Sequence, residues 1–164
     1  MTRRTPETAH RVMGLDPSLT CTGVVVVGPP THEGAESVFG AVIKTKPGDI
    51  TPRLDLIAGE IMELVLLHRP ELICIEGLAF GARGQAMLDL AGLHHVIRRD
   101  LMHYRVEVVA PQALKKFVTG KGNTKKDQMR LAVYKKWGVE FLTTDETDAY
   151  ALAQWGQALL REEA

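Results

Sequence analysis

Two acidic residues stand at the ends of short apolar runs in this sequence. Asp16 follows residues 12–15, and Glu76 follows residues 72–75. Each run has the length and composition of a buried strand. A carboxylate at the end of such a strand is costly unless a charged group meets it there, and the usual partner is a divalent metal ion.

A second acidic pair lies near the C-terminus, where Asp145 and Asp148 are three residues apart. This spacing places both on one face of a helix. Thr143 and Glu146 have capping-box spacing, so Glu146 has a structural task and lies off that face. For Asp145 a simpler explanation stays open, because acids favour the first turn of any helix.

A strand-end Asp, a strand-end Glu and helix-borne Asp residues are the constellation of a two-metal nuclease. In such an enzyme two Mg²⁺ ions, about 4 Å apart, stabilise the attacking and leaving oxygens of a phosphodiester. Mg²⁺ takes hard oxygen ligands and keeps several waters, so three or four carboxylates suffice. We expect Mg²⁺ at this site, with Mn²⁺ as a substitute, and expect it to be held by Asp16, Glu76, Asp145 and Asp148.

The elements that must position these acids follow from hydrophobic periodicity and turn residues. The sequence predicts strands at 12–16, 23–28, 37–43, 72–76 and 105–109. It predicts helices at 52–68, 85–103, after Pro111, at 125–137 and at 144–161, with Thr51 as the N-cap of the first. The first three strands form a meander, and the first two helices are crossovers that make the later strands parallel. The expected fold is α/β and ribonuclease H-like, a mixed five-stranded sheet flanked by helices.

Length and composition narrow the class of protein. The 164 residues suit one domain, and we take residues 1–10 as a flexible leader before a single nuclease domain at 11–164. No stretch of 18 apolar residues is present, and the N-terminus lacks the apolar segment of a signal peptide. The two cysteines have no metal-binding spacing and fit reduced thiols. We expect a cytoplasmic protein, associated with the nucleoid, or located in the host cytoplasm if phage-encoded.

Charge is distributed unevenly although the net charge is zero. Residues 105–136 hold nine basic and two acidic residues, an excess of +7 that the rest of the chain balances. A basic approach surface beside an acidic metal pocket suits a nuclease that binds DNA. The plainer alternative is a solvated face of two surface helices.

These segments resemble the RuvC family of Holliday junction resolvases, most closely its small phage-type or divergent members. GLDPSLTCTG at 14–23 is similar to the family's first-strand motif, and DETDAYALA at 145–153 to its closing motif. TPRLDLIAGEI at 51–61, the segment from Ile73 to Ile97 and PQALKKFVTGKGNTKKDQM at 111–129 resemble the stretches between them. The order of the first and last motifs is specific, and the resemblance covers about residues 12–160.

The resemblance implies an enzyme that cuts four-way DNA junctions by paired nicks. It assigns the metal ligands to the same four acids and two catalytic lysines to Lys115 and Lys126. It places a junction-contacting aromatic at Phe80, one position later than in the best-known members. The expected DNA contacts are Phe80, Arg83, Lys115, Lys116, Lys121, Lys125, Lys126 and Arg130. A branch-migration helicase partner is not determined by the sequence.

The resemblance also implies a homodimer through helix 85–103. Its apolar arc is wider than one sheet face needs, and we expect a lone subunit to leave part of Leu88, Leu93 and Ile97 exposed. A fully buried helix is the alternative explanation of the same arc.

Other functions remain open at this level. A related ribonuclease H-like nuclease acting on flaps, forks or RNA (YqgF-like) would use the same acids. A non-catalytic DNA-binding scaffold would not need all four. An actin-like ATPase also has a turn like DPSLTCTG, but it needs two lobes that 164 residues do not supply.

Overall fold

Five strands form one mixed sheet in the order β3-β2-β1-β4-β5. The computed structural model describes residues 10–30, 36–79 and 83–164. The strands are β1 (Val12–Asp16), β2 (Cys21–Pro30), β3 (Glu36–Lys44), β4 (Leu72–Glu76) and β5 (Val106–Val109). The helices are α1 (Ile50–His68), α2 (Gln85–Asp100), α3 (Pro111–Thr119), α4 (Lys126–Trp137) and α5 (Thr144–Glu163). The expected mixed sheet flanked by helices is confirmed.

The pairing of β1 brings the two strand-end acids to the same edge. β1 is antiparallel to β2, where Asp16 lies opposite Gly23. On its other side β1 is parallel to β4, with Leu15 opposite Ile75. Since parallel strands end at the same edge of a sheet, Asp16 and Glu76 leave the sheet as neighbours.

Side chains alternate along the central strands and fill two cores. Met13, Leu15, Ile73 and Ile75 pack under α1 and α2 on one face. Val12, Leu72 and Cys74 pack under α3, α4 and α5 on the other face, a group completed by Val25 and Val27 of β2. Because both faces are covered, the central strands are apolar throughout and only their ends carry charge.

Helix α5 packs so closely against the sheet that only glycine fits at two of the contact positions. A Cβ atom on Gly14 would stand 1.8 Å from the carbonyl oxygen of Ala149, and one on Gly23 would stand 2.2 Å from that of Asp145. No side chain fits either gap. These two glycines therefore set how near the acids of α5 come to the end of β1.

Two local expectations are wrong. Asp49 caps α1, and its side chain accepts a hydrogen bond from the Thr51 amide, so Thr51 lies inside the helix that it was expected to cap. The Asp carboxylate precedes Thr51 and Pro52 and reaches the free amides first. Helix α2 ends at Asp100, and residues 101–103 form a turn.

The expected exposure of Leu93 and Ile97 is also wrong. Leu93 is 0% and Ile97 1% exposed, whereas Leu88 is 67% exposed. Helix α2 packs against both the sheet and α1, and two neighbours need a wider apolar arc than one. The arc is therefore divided: Leu93, Ile97 and Leu101 are core, whereas Leu88 and Met102 face outward.

No helix within the described residues is long and apolar enough to cross a membrane. Residues 1–9 of the expected leader lie outside the described residues. The remaining one, His10, contacts Glu71 through its Nδ1 atom at 2.8 Å.

We predict that Gly14→Ala destabilises the protein by about 3 kcal/mol or more, because the new methyl group overlaps the backbone of α5. Gly59→Ala in α1 is the matched control, since a Cβ there meets nothing within 4 Å. It should stabilise the helix by about 0.5–1 kcal/mol. Urea unfolding measures both changes. A Gly14→Ala variant within about 1 kcal/mol of the parent would contradict the close packing of α5.

Candidate active site

Asp16 and Glu76 share one hydrogen bond at the end of the central strands. Burial raises the pKa of Asp16 to about 9, and the negative charges of Glu76 and Asp148 act in the same direction. The protonated Asp16 carboxyl donates to Glu76, which raises the pKa of Asp16 and opposes the rise for Glu76. Burial and the repulsion between these acids thus favour the protonated form of Asp16.

Asp148 completes the acidic floor of the cleft. It lies on α5 and lines the same cleft as Asp16 and Glu76. Burial raises the pKa of Asp148 to about 6, with a further contribution from Glu76. Asp145 is not among the described residues that line the cleft, but its charge raises the pKa of both Asp16 and Asp148.

Thr143 is the N-cap of α5, as expected, but the Glu146 side chain bonds to the Thr143 hydroxyl and not to the backbone amide that a capping box requires. The Thr143 hydroxyl accepts from the Glu146 amide at 3.1 Å and donates to a Glu146 carboxylate oxygen at 2.8 Å. This pair fixes the first turn of α5 and keeps Glu146 occupied. Asp148, rather than Glu146, is therefore the acid of α5 that lines the cleft.

Two lysines face the acids across the cleft. Lys115 of α3 and Lys126 of α4 line it. Burial raises the pKa of Glu76, while the hydrogen bond from Asp16 and the charges of Lys115 and Lys126 oppose that rise. These are the two lysines that the sequence singled out as catalytic.

The donor set suits a hard divalent cation. Asp16, Glu76 and Asp148 present carboxylate oxygens to one cleft, the ligands that Mg²⁺ takes while keeping several waters. Across residues 10–30, 36–79 and 83–164, no three His, Cys, Asp or Glu side chains stand close enough to ligate one ion together. The chemistry of the donors fits a metal ion.

The other basic residues of α3, α4 and the segment between them that were expected to contact DNA lie outside the cleft. Lys121 lines a separate groove, bordered by Thr124 and Lys135. Lys125 precedes α4 and caps it, and Lys116 is exposed on α3. Arg130 pairs with Glu140 at 3.1 Å, which offsets part of its charge.

Two of the expected DNA contacts precede α2 in the sequence, and the structure describes one of them. Arg83 is exposed just before α2. Phe80 lies outside the described residues.

One wall of the cleft comes from α2 and was missed from the sequence. Met87, Leu90 and His94 line it. Their spacing of three and four residues places them on one helix face. The signal for this wall is a histidine that continues the apolar stripe of α2. The pattern of the stripe alone indicates a core or a dimer contact.

The comparisons with known proteins agree on one family. Residues 12–154 match the family profile of crossover junction endodeoxyribonuclease RuvC. The RuvC protein of Clavibacter michiganensis subsp. michiganensis is 34% identical over 151 residues, which cover 87% of this chain and 73% of that protein.

Solved structures share the fold. Thermus thermophilus RuvC matches with a TM-score of 0.76 and 23% identity, over 93% of this chain and 96% of that one. The same protein in complex with a Holliday junction substrate matches with a TM-score of 0.74 and 23% identity, over 94% and 96%.

We predict that the acidic floor makes the protein less stable as pH rises, in the absence of divalent metal. Asp16 has a higher pKa in the fold than its ordinary 3.8, so the folded state binds the extra proton between about pH 4 and 9 and loses that advantage as pH rises. Asp16→Asn should raise the melting temperature at pH 8 by about 3 °C or more, roughly 1 kcal/mol for a domain of this size. The substitution should also make the melting temperature depend less on pH.

Thermal unfolding with EDTA from pH 5 to 9 measures this effect. Asp55→Asn, at an exposed acid of α1, is the control and should follow the wild type. An Asp16→Asn variant that melts lower than the wild type at pH 8 would show that the carboxyl is not under strain.

Proposed function

The chain belongs to the RuvC family of crossover junction endodeoxyribonucleases and is a nuclease that resolves four-way DNA junctions; we propose that it cuts at the cleft holding Asp16, Glu76 and Asp148. The observation that carries this assignment is that Asp16, Glu76 and Asp148 line one cleft together with Lys115 and Lys126. A scaffold that only binds DNA has no use for a buried pair of repelling carboxylates, which costs stability.

Each group in the cleft has a task in phosphodiester hydrolysis. Enzymes of this family are metal-dependent, and a pair of Mg²⁺ ions, when bound, supplies Lewis acidity to the attacking and leaving oxygens. Asp16, Glu76 and Asp148 would hold the metal, and Asp145 supports it through its charge or as a further ligand. Lys115 and Lys126 face the scissile phosphate and offset charge that develops in the transition state.

DNA reaches this cleft across the basic surface of α3 and α4. Lys116, Lys121 and Lys125 are exposed there and carry no ion pair within the described chain. Arg130 shares its charge with Glu140 and contributes less. Contacts of this kind act on phosphates, so they position the junction without choosing its sequence.

We propose a homodimer, because a four-way junction offers two equivalent strands that a two-fold enzyme cuts with two identical sites. The outer surface of α1 and α2 carries exposed apolar side chains: Leu66 (62%), Leu67 (71%), Leu88 (67%) and Met102 (70%), the last just after α2. These residues replace Leu93 and Ile97 as the candidates for the interface.

Cleavage of four-way junctions should depend on the acids of the cleft. We predict that Asp16→Asn and Glu76→Gln each lower the rate well below a tenth of wild type, a loss above about 1.4 kcal/mol in transition-state stabilisation, while junction binding persists. Glu146→Gln is the matched control, because this acid only caps α5. EDTA should stop the wild type.

Parallel assays on fork, flap, duplex and RNA substrates test the alternative nucleases. Faster cleavage of flaps or RNA than of four-way DNA would contradict the assignment. So would a variant at Asp16 or Glu76 that keeps more than about a tenth of the rate.

Binding should rest on the lysines around α3 and α4. We predict that Lys121→Ala or Lys125→Ala each reduces the slope of log affinity against log salt by about one, because each removes one phosphate contact. Lys46→Ala, an exposed lysine before α1, should leave the slope unchanged. Unchanged slopes for both basic-segment variants would place the DNA elsewhere.

The dimer interface should lie on the outer face of α2. We predict that Leu88→Glu converts a dimer to a monomer without lowering its melting temperature, since Leu88 is 67% exposed in the subunit. Leu131→Glu, at an exposed apolar residue of α4, should remain dimeric. Light scattering measures the mass, and a monomeric wild type at high concentration, with and without junction DNA, would contradict the dimer and the paired nicks.

A further inference from the structure

The cleft has two chemically different walls above its acidic floor. The side formed by α3 and α4 carries Lys115 and Lys126. The side formed by α2 carries Met87, Leu90 and His94. Pro111, Leu114 and Met129 also line the α3 and α4 side, so both sides have apolar surface. Only the α3 and α4 side carries the lysines suited to phosphate, and the polar group of the α2 side is the ring of His94.

His94 has unused hydrogen-bonding capacity in that wall. The residue is 8% exposed, and no hydrogen bond to its ring occurs among the described residues. Burial, followed by the charges of Arg98 and His95, lowers the pKa of His94. At neutral pH the ring therefore has one donor and one acceptor nitrogen, and neither has a partner in the part of the chain that the structure describes.

The α2 wall is held rigidly. Leu93 and Ile97 are buried against the sheet and α1, so the helix cannot turn His94 away from the cleft without opening the core. His95, the next residue, points away and is exposed. A polar ring fixed in an otherwise apolar wall is the arrangement that binding sites use to orient a ligand.

A nucleotide has the same two sides as the cleft. Its phosphate is anionic, and its base is a flat apolar surface with hydrogen-bonding groups along the edge. A strand whose scissile phosphate lies at Lys115 and Lys126 can place the adjoining nucleoside against Met87, Leu90 and His94, because these residues line the same cleft. Bases near a branch point leave the stack at lower cost than bases inside a duplex.

We propose that the base next to the scissile phosphate packs on Met87 and Leu90 and that His94 hydrogen-bonds to its edge, so that His94 determines which base is accepted at the cut. This inference rests on the proposed junction cleavage. It assigns His94 to substrate recognition and leaves hydrolysis to the acids and lysines. The lysines of α3 and α4 position the DNA backbone, and the α2 side of the cleft selects the base at which the strand is cut.

The test uses four-way junctions that differ only in the base beside the cut, together with one that lacks this base. We expect the wild type to cleave the best junction about fivefold or more faster than the worst, the size of one hydrogen bond. His94→Leu should reduce this range to about twofold and leave the rate on the abasic junction unchanged. His94→Gln should keep a preference, since an amide also donates and accepts.

His95→Leu is the matched control and should keep the wild-type preference. An equal loss of rate on every junction by His94→Leu, the abasic one included, would overturn the proposal in favour of a role in folding or chemistry. An unchanged base preference would overturn it as well. If His94→Leu does not fold, His94→Met provides the same comparison, because a flexible thioether fills irregular apolar walls.

A second measurement does not depend on cleavage. With 2-aminopurine beside the cut site, binding of Asp16→Asn protein should raise its fluorescence as the base leaves the stack, and adding His94→Leu should reduce that rise. No rise with the single variant would overturn the proposal. A wild type that cleaves no four-way junction contradicts the proposed function, whereas one that cleaves without any base preference contradicts this inference alone.

Discussion

The structure depends on holding Asp16 and Glu76 together although both are acids in a poorly hydrated place. They meet because β1 and β4 are neighbouring parallel strands that end at one edge of the sheet. Burial raises the pKa of both, and a hydrogen bond from Asp16 to Glu76 raises the pKa of Asp16 further. Sites that must bind a divalent cation need such concentrated charge, and the fold tolerates it because apolar packing on both faces of the sheet supplies the stability.

The third element of the site, α5, comes close to the sheet because glycines leave room for it. Gly14 and Gly23 let α5 rest on β1 and β2, which carries Asp148 to the end of the same strands. The two hydrogen bonds between Thr143 and Glu146 then fix where α5 begins. Lys115 and Lys126 come from the two helices packed beside α5, so both lysines and Asp148 belong to one layer of helices, while Asp16 and Glu76 come from the sheet.

Much of this arrangement could be predicted from the sequence because it follows from local patterns. An acid after an apolar run marks a strand end, and Asp16 and Glu76 were found in that way. Leu93 was misjudged because periodicity gives the width of an apolar face and not the number of elements that cover it. The ion pair of Arg130 with Glu140 could not be predicted, because it joins residues ten apart across a turn. His94 was missed because a histidine in an apolar stripe has the same pattern whether its ring meets a core or a cleft.

Calorimetric titration of the protein with Mg²⁺ or Mn²⁺ at pH 7, in two buffers of different ionisation enthalpy, measures most directly whether a cation replaces the proton shared by Asp16 and Glu76. The dependence of heat on buffer gives the number of protons released per site. The account predicts release of roughly one proton by the wild type and almost none by Asp16→Asn, because metal binding requires deprotonated ligands. Metal binding by the wild type without proton release, or equal release by Asp16→Asn, would contradict it.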